Sequence, residues 1–237
     1  MSTESSLTVS GVAARLGVNQ ARVRAMIASG QLEARKVGGR WLLDQAAVDA
    51  RLDLTVAAGR PLSTRSAWAV LWLATKPQPE PGSWDSYLKD RLVRWRARQR
   101  LGRGPVAEML VGLAPRLRTR GRLHRARAHP SDVPRILDEP DVVWTGVSAA
   151  AAYAADIVAL GVAEAYLPAA RLPGLQQTYL LEPSSNPNVL IRAIDHIWPF
   201  PPGCRLAPPS AVALDLLDAG DERTRRAGRE LLTRLEV

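Results

Sequence analysis

The sequence predicts an α+β protein in three parts: a small N-terminal lobe of helices and a hairpin at 1–54, a basic helical middle at 55–128, and a C-terminal mixed α/β domain at 129–237. Apolar spacing is helical near the N-terminus and switches to short strand-like runs after residue 140. Charge divides the chain as well: residues 85–128 carry thirteen Arg and Lys against three acids, whereas residues 129–237 carry nine against fourteen. This asymmetry is typical of a protein of which one part meets nucleic acid.

The N-terminal lobe begins with two short helices. Ser10 is the predicted N-cap of the first, and Gly17 supplies the positive φ that ends it. Asn19 is the predicted cap of the second helix, which Ser29-Gly30 closes. The apolar stripe of this second helix consists of Val23, Met26 and Ile27.

A hairpin and a third helix complete the lobe. Gly38-Gly39 separates two runs rich in apolar residues, and this dipeptide favours a two-residue turn. Asp44 is expected to start the third helix, with Ala47, Val48 and Leu52 facing inward. The polar residues that remain exposed in this plan are Gln20, Arg22 and Arg24 on the second helix and Arg35, Lys36 and Arg40 on the hairpin.

The segment "VSGVAARLGVNQARVRAMIASGQLEARKVGGRWLLD" resembles the winged helix-turn-helix of the excisionase and MerR-like family. The resemblance implies that the second helix enters the major groove of DNA and that the hairpin wing lies along the backbone or minor groove. Polar side chains on that helix suit base edges, and basic residues on a wing suit phosphates. The alternative is a lobe of the same shape that contacts protein. The predicted DNA-binding residues are Asn19, Gln20, Arg22, Arg24, Arg35, Lys36, Gly38, Gly39 and Arg40.

The middle region is predicted to be helical and basic. A short apolar helix carries Trp68, Leu71 and Trp72, which we interpret as core or as an interdomain face, and a proline-rich connector follows. Two further helices each have a predicted buried side. Their apolar positions are Leu88, Leu92 and Trp95, then Val106, Leu110 and Leu113.

The arginines on the other faces of these helices have two interpretations. They form solvated helical faces, or they form a second surface that contacts phosphate through Arg94, Arg98 and Arg118. An excess of ten positive charges repels itself unless an anionic partner meets it. DNA, the acidic C-terminal domain and an acidic surface on another protein all qualify.

The C-terminal third alternates helices and strands. A helix follows His129-Pro130, a strand covers 142–145, and Ser148 opens an alanine-rich helix. A strand with a helical turn comes next, and "TYLLEPSSNPNVLIRAID" predicts a hairpin with a polar loop. Two final helices are separated by Gly220, the second capped by Asp221 or a neighbour.

Residues 129–236 also resemble the C-terminal domain of abortive-infection type IV antitoxins, the AbiEi-like family. The segments that carry the resemblance include "VVWTGVSAAAAY" and "NVLIRAID", and "APPSAVALDLLDAGDERTRRAGRELL" is the most specific. The resemblance implies a protein that binds inverted repeats upstream of a two-gene operon. It also implies a C-terminal domain that supports cooperative repression and opposes a nucleotidyltransferase-like toxin.

Catalytic and metal sites are not expected. His124, His129 and His196 are isolated in sequence, and His196 is expected to be packed beside Trp198. Asp215 lies in an apolar helix, so a metal site with Asp218 and Asp221 is disfavoured, and Cys204 has no basic neighbours that would activate a nucleophile. We expect no enzyme activity, metal or cofactor. With no signal peptide and no apolar run of bilayer length, we expect a cytoplasmic protein that does not enter membranes.

The leading hypothesis is therefore an autorepressor that binds double-stranded operator DNA, associates with itself there, and serves as the antitoxin of a toxin–antitoxin pair. The first alternative is a stand-alone excisionase or MerR-like regulator whose C-terminal domain only mediates self-association. The second is a protein–protein adaptor whose basic middle grips an acidic toxin directly.

Overall fold

The computed structural model describes residues 6–16, 18–28, 32, 34–44, 48, 60–75, 90–158 and 160–235. The chain forms two compact units, residues 1–59 and residues 60–237. Helices and strands alternate through both, as the predicted mixed α and β fold requires. The predicted proline-rich connector, 75–83, lies outside the described residues apart from Thr75.

The N-terminal unit is a pair of helices on a three-stranded antiparallel sheet of order β1-β3-β2. Its core contains Val12, Val23, Met26, Leu43 and Val48. The first strand was not predicted, and it widens the hairpin sheet by one strand. The elements are β1 Ser6–Thr8, α1 Val9–Leu16, α2 Gln20–Ala28, β2 Ala34–Val37 and β3 Arg40–Asp44.

One prediction for this unit is wrong, and others fall outside the described residues. Helix α1 begins at Val9, one residue before the predicted cap Ser10, and the Thr8 hydroxyl accepts the Gly11 N–H at 3.2 Å instead. Asp44 is the last residue of β3, where it pairs with Ser6 of β1, and the start of the predicted third helix lies outside the described residues. Val48 is helical and buried as expected, while Gly17, Ser29-Gly30, Ala47 and Leu52 lie outside the described residues.

The C-terminal unit is built on a five-stranded sheet of order β5-β6-β8-β4-β7. Strands β6 and β8 are parallel, and the other neighbours are antiparallel. The strands are β4 Arg122–Arg127, β5 Val143–Trp144, β6 Ala163–Pro168, β7 Glu182–Pro183 and β8 Val189–Ile194. The helices are α3 Thr64–Ala74, α4 Arg91–Leu101, α5 Val106–Leu113, α6 Val133–Asp138, α7 Gly146–Ala149, α8 Leu172–Thr178, α9 Pro209–Leu217 and α10 Glu222–Arg234.

Each face of the large sheet has its own apolar core. Alternate residues of a strand point to opposite faces. Ala165, Leu167 and Ile191 pack with the buried side chains of α6 and α8. Tyr166 and Ile194 pack on the other face with α3, α7 and α9. The helix of the middle region that carries Trp68, Leu71 and Trp72 is therefore part of the same core as the C-terminal sheet, which agrees with the interpretation of these residues as core.

An aromatic cluster fixes α3 in this core. The Trp68 ring lies 5.0 Å from Tyr166 and 4.9 Å from Phe200 in edge-to-face geometry, an arrangement that aromatic pairs prefer. Trp68 donates its indole N–H to the Arg120 carbonyl at 2.7 Å, and Trp72 donates to the Pro199 carbonyl at 3.0 Å. Both tryptophans are thus buried without an unpaired polar atom on the ring.

Two arginines and three carboxyl groups meet between α9 and the sheet, and all but the partly exposed Asp218 are buried. Arg120 Nε donates to Asp215 Oδ1 at 2.8 Å, and Arg192 Nε lies 2.7 Å from the same oxygen. Arg120 Nη2 also bonds Asp218, while Arg192 Nη2 lies 3.5 Å from Glu164. We call Arg120, Glu164, Arg192, Asp215 and Asp218 the buried charge cluster.

The charges of this cluster shift one another's pKa values. Burial alone would lower the pKa of Arg120, but the neighbouring Asp215 and Asp218 carboxylates raise it well above its usual value. Burial favours the protonated form of Asp218, yet Arg120 and Arg192 outweigh that effect and lower its pKa. Glu164 differs, since burial is the largest influence on its pKa and raises that pKa to about 7 despite Arg192.

Four other predictions differ from the structure. Residues 122–127, expected in the helical middle, form β4 because they pair with both β7 and β8. Strands β7 and β8 do not form the predicted hairpin, since β4 lies between them. The alanine-rich helix begins at Gly146 rather than Ser148, whose hydroxyl instead accepts the Glu164 N–H at 2.8 Å. His196 is exposed rather than packed, beside Asp195.

The predicted buried sides of the middle helices are half right. Leu110 and Leu113 of α5 are buried and Val106 packs against the same core. On α4, however, Leu92 and Trp95 are 50% and 58% exposed, because Ala97 and Leu101 form the buried side. Leu88 lies outside the described residues.

Candidate nucleic-acid interface

Helix α2 is fixed by its cap and by its apolar side. The Asn19 side chain accepts the Arg22 N–H at 2.8 Å, which confirms the predicted N-cap. Val23 and Met26 are buried against α1 and the small sheet. The first turn and the outer face of α2 are therefore open to contacts outside the molecule.

The predicted base-reading side chains lie on different sides of α2, because Gln20 and Arg24 are one turn apart and Arg22 is two residues from each, roughly half a turn around the helix. Gln20, Arg22 and Arg24 are all exposed. Arg24 lies one helical turn after Gln20 and donates from Nη2 to the side-chain Oε1 of Gln20 at 3.4 Å. The Gln20 side chain therefore orients the Arg24 guanidinium. We call these three exposed residues, Gln20, Arg22 and Arg24, the reading face.

The wing forms because two glycines adopt conformations that other residues avoid. Gly38 and Gly39 have φ of 56° and 79°, as a tight hairpin turn with two left-handed residues demands. No atom lies within 4 Å of a Cβ added to either glycine, so these positions need glycine for backbone conformation rather than for space. The register pairs Val37 with Arg40 directly beside the turn.

The basic side chains of the wing do not share one face. Lys36 pairs with Trp41 across the hairpin, and its ammonium lies 5.9 Å from the centre of that ring. Arg35 pairs with Leu42 and, being adjacent to Lys36, lies on the opposite face. Arg40 is exposed at the tip. The three residues were predicted as one group, but alternation along the strands places Arg35 and Arg40 on one face of the hairpin and Lys36 on the other.

The three additional phosphate candidates lie in the C-terminal unit. Arg94 is half-buried and Arg98 exposed on α4. Arg118 is exposed near the end of the 3-10 helix Ala114–Arg120, and its Nη2 lies 3.9 Å from Asp218 of the buried charge cluster. Arg118 thus differs from the other two in having a carboxylate partner.

Several polar residues that could carry chemistry have structural roles. The His129 ring accepts the Ser131 N–H at 3.4 Å and caps a helical turn, as expected of a helix-entry residue. Asp221 caps α10 by accepting the Thr224 N–H at 2.8 Å, also as expected. Among the described residues, no three His, Cys, Asp or Glu side chains are grouped as metal ligands. Within the same residues, no helix combines the length and the apolarity needed to cross a bilayer.

Comparison with known families recognises the N-terminal lobe. Residues 6–53 match the family model of the helix-turn-helix domain. The N-terminal unit is a helix-turn-helix domain, of the kind that regulators use to bind DNA. Neither the curated proteins nor the solved structures contain a match to the chain. The family match ends before the C-terminal unit, so it bears on the reading face and the wing alone.

Proposed function

We propose that this protein is a sequence-specific DNA-binding repressor in which α2 enters the major groove and the wing contacts the backbone. The reading face carries the proposal: burial of Val23 and Met26 leaves Gln20, Arg22 and Arg24 exposed, on a helix of the same domain that carries the glycine-tipped hairpin. No catalytic residue, metal or cofactor is part of it.

The residue types of the reading face suit base recognition. An arginine donates two hydrogen bonds to guanine, at O6 and N7, and a glutamine amide accepts from adenine N6 and donates to adenine N7. Each such pair discriminates against a wrong base by about 1–3 kcal/mol. Basic wing residues neutralise phosphates instead, which adds affinity for any sequence.

The experiment is selection of binding sites from a random duplex library by the full-length protein. The wild type is expected to enrich a motif. Arg22→Ala is expected to relax preference at one position of that motif and to weaken binding by about 1–3 kcal/mol. Arg135→Ala is the control. Arg135 is also an exposed arginine, but it belongs to the C-terminal unit, where it pairs with Asp132. Failure of the wild type to enrich any motif refutes the proposal.

The predicted contact between the wing and the DNA backbone is tested by removing one positive charge from the wing. Arg40→Ala is expected to weaken binding to all duplexes equally and to reduce the salt slope of log K by about one unit. The motif selected by this variant should be that of the wild type. A changed motif would mean that Arg40 contacts bases rather than phosphate.

We also propose the more specific role of autorepressor and antitoxin. Its support is the resemblance of residues 129–236 to AbiEi-like antitoxins, whose most specific segment folds here as α9 and α10. One small winged domain buries only about 600–1,000 Å² on DNA, so a repressor benefits from two copies on inverted repeats. In this proposal the C-terminal unit supplies the self-association and opposes a nucleotidyltransferase-like toxin.

The antitoxin role is tested by growth of cells that carry an inducible copy of the gene next to this one. The neighbour is expected to be toxic alone and harmless when this protein is co-expressed. Rescue should survive Arg22→Ala if neutralisation is separate from repression. A harmless neighbour, or no rescue, favours the alternative of a stand-alone regulator whose C-terminal unit only mediates self-association.

A further inference from the structure

Helix α4 presents an unusual face to solvent. Arg91, Arg96 and Arg98 are exposed, and Leu92 and Trp95 between them are 50% and 58% exposed. With about 3.6 residues per turn, Arg91 and Arg98 lie on one side of the Leu92–Trp95 stripe and Arg96 on the other. We call these five residues the α4 face.

The arginines of α4 have no carboxylate partner in the part of the chain that the structure describes. This holds for Arg91, Arg94, Arg96, Arg98 and Arg100. The arginines of α10 behave differently, since Arg225 and Arg229 pair with Glu222 and Arg226 pairs with Glu230. An arginine-rich helix of this protein can therefore have positive charges paired with carboxylates, as on α10, and α4 differs in that its arginines have no such pair among the described residues.

Crowding of like charge affects one of these residues directly. The pKa of Arg100 is lowered, first by burial and then by the positive charges of Arg116 and Arg96. A cluster that repels itself gains free energy when an anionic partner arrives. Of these residues Arg96 belongs to the α4 face, and an anion bound there would relieve part of the repulsion.

We propose that the α4 face is a second DNA-binding surface that contacts the phosphate backbone without reading sequence. Arg91, Arg96 and Arg98 place three positive charges within about 11 Å of helix, at a rise of about 1.5 Å per residue. Duplex DNA offers about one negative charge per 1.7 Å of its axis. Each of the three arginines can therefore meet a phosphate of one duplex, which favours DNA over an acidic protein, whose exposed ion pairs contribute about 0–1 kcal/mol each.

The proposal rests on the proposed function in one respect. Once the N-terminal unit holds a duplex, the rest of the chain meets that duplex at an effective concentration in the millimolar range. Weak phosphate contacts then add to affinity. Trp95 suits the same role, because an indole packs against sugar with its ring and donates its N–H to an oxygen.

The test compares two triple variants of the full-length protein that lose the same net charge. The first is Arg91→Ala, Arg96→Ala and Arg98→Ala on α4, and the matched control is Arg225→Ala, Arg226→Ala and Arg229→Ala on α10. Binding to a random-sequence duplex of about 30 base pairs, roughly three turns at about 10.5 base pairs each, is followed by fluorescence anisotropy from low to high salt. The α4 variant is expected to lose about 2 to 3 units of the slope of log K against log salt, at about 0.9 per phosphate. The α10 variant should keep the wild-type slope.

Two further measurements keep failures distinguishable. Replacing the three α4 arginines by Gln retains polar side chains, and it should give the same loss of slope with unchanged thermal unfolding. Lys36→Ala with Arg40→Ala reports binding by the wing in the same assay. If the wing variant lowers the salt slope and the α4 variants keep the slope of the α10 control, the proposal is overturned. The α4 face would then not contact DNA, and an acidic protein would be the better candidate partner. If the wing variant changes nothing while the α4 variants lower the slope, the proposed function fails and the α4 surface stands.

Discussion

Glu164 is held in a setting that favours its protonated form. It is buried, its Oε2 accepts the Val147 N–H at 3.2 Å, and Arg192 lies 3.5 Å from Oε1. Burial is the largest cause of a pKa of about 7, and Asp215 and Asp218 also oppose its ionisation. Because the unfolded chain has an ordinary glutamate pKa, the native state holds this proton more tightly.

The pH dependence of stability results from that difference. As pH rises from about 4.5 to about 7, the unfolded chain releases the proton first, so Glu164 lowers the free energy of unfolding, by on the order of 3 kcal/mol in total. Glu164→Gln has no proton to release and keeps an oxygen for Val147. We expect its advantage over the wild type to grow between about pH 5 and about pH 8 in urea titrations. Parallel stability curves for the two proteins over this range would contradict the assignment.

Gly146 faces the same carboxylate. Its φ is 47°, and a Cβ added there would lie 1.8 Å from Glu164 Oε2. Gly161 is a matched control, with φ of 74° and nothing within 4 Å of its added Cβ. Gly161→Ala should cost about 1–2 kcal/mol from backbone strain alone. Gly146→Ala should cost at least about 2 kcal/mol more, because the clash displaces Glu164 as well. Equal losses in chemical denaturation would show that the carboxylate moves freely.

Helices α3 and α4 each carry a tryptophan in opposite circumstances. Trp68 on α3 is fully buried in the aromatic cluster, whereas Trp95 on α4 is 58% exposed. Trp68→Ala should destabilise the protein by about 3–5 kcal/mol, and Trp95→Ala by about 1 kcal/mol or less. Thermal or urea unfolding of the two variants checks this. A large loss for Trp95→Ala would mean that the α4 face is part of the core.

The sequence predicted elements whose cause is local. Asn19 and Asp221 were recognised as caps because the preference lies in the residue itself, and Gly38-Gly39 as a turn because only glycine adopts two left-handed conformations at little cost. Apolar periodicity predicted the wrong buried side for α4. Leu92 and Trp95 have helical spacing, but they lie on the exposed side of the helix. Spacing shows that an apolar stripe exists, and packing decides whether it is covered.

Non-local pairing explains the other errors. Arg120 and Asp215 are 95 residues apart, and no spacing rule joins an arginine in a basic run to an aspartate in an apolar helix. Residues 122–127 look like part of that basic run, yet they form a strand because both neighbouring strands arrive from later in the chain. The sequence therefore predicted the exposed face of α2 and the hairpin turn well, and the buried charge cluster not at all.

In the molecule as a whole, the arginines fall into two groups, those paired with carboxylates and those exposed to an external partner. Arg120, Arg192 and three arginines of α10 are paired with carboxylates, and Arg120 and Arg192 hold α9 against the sheet. Asp215→Ala would remove the carboxylate that Arg120 and Arg192 share. We expect the free energy of unfolding in urea to fall by about 3–5 kcal/mol. A loss below about 1 kcal/mol would mean that Asp218 and Glu164 are sufficient partners.

Other arginines instead face outward, on the reading face, the wing and the α4 face. We propose that only the first of these surfaces distinguishes one DNA sequence from another. The most direct test is the ratio of affinities for the selected duplex and a scrambled duplex of equal length, measured at one salt concentration with the full-length protein.

We expect a ratio of about 10³ or more for the wild type. Arg22→Ala with Arg24→Ala should reduce this ratio by about 10-fold to 1,000-fold, and the α4 triple variant should weaken both affinities and leave the ratio unchanged. A wild-type ratio near one, or a double variant that discriminates as well as the wild type, would contradict sequence reading by α2.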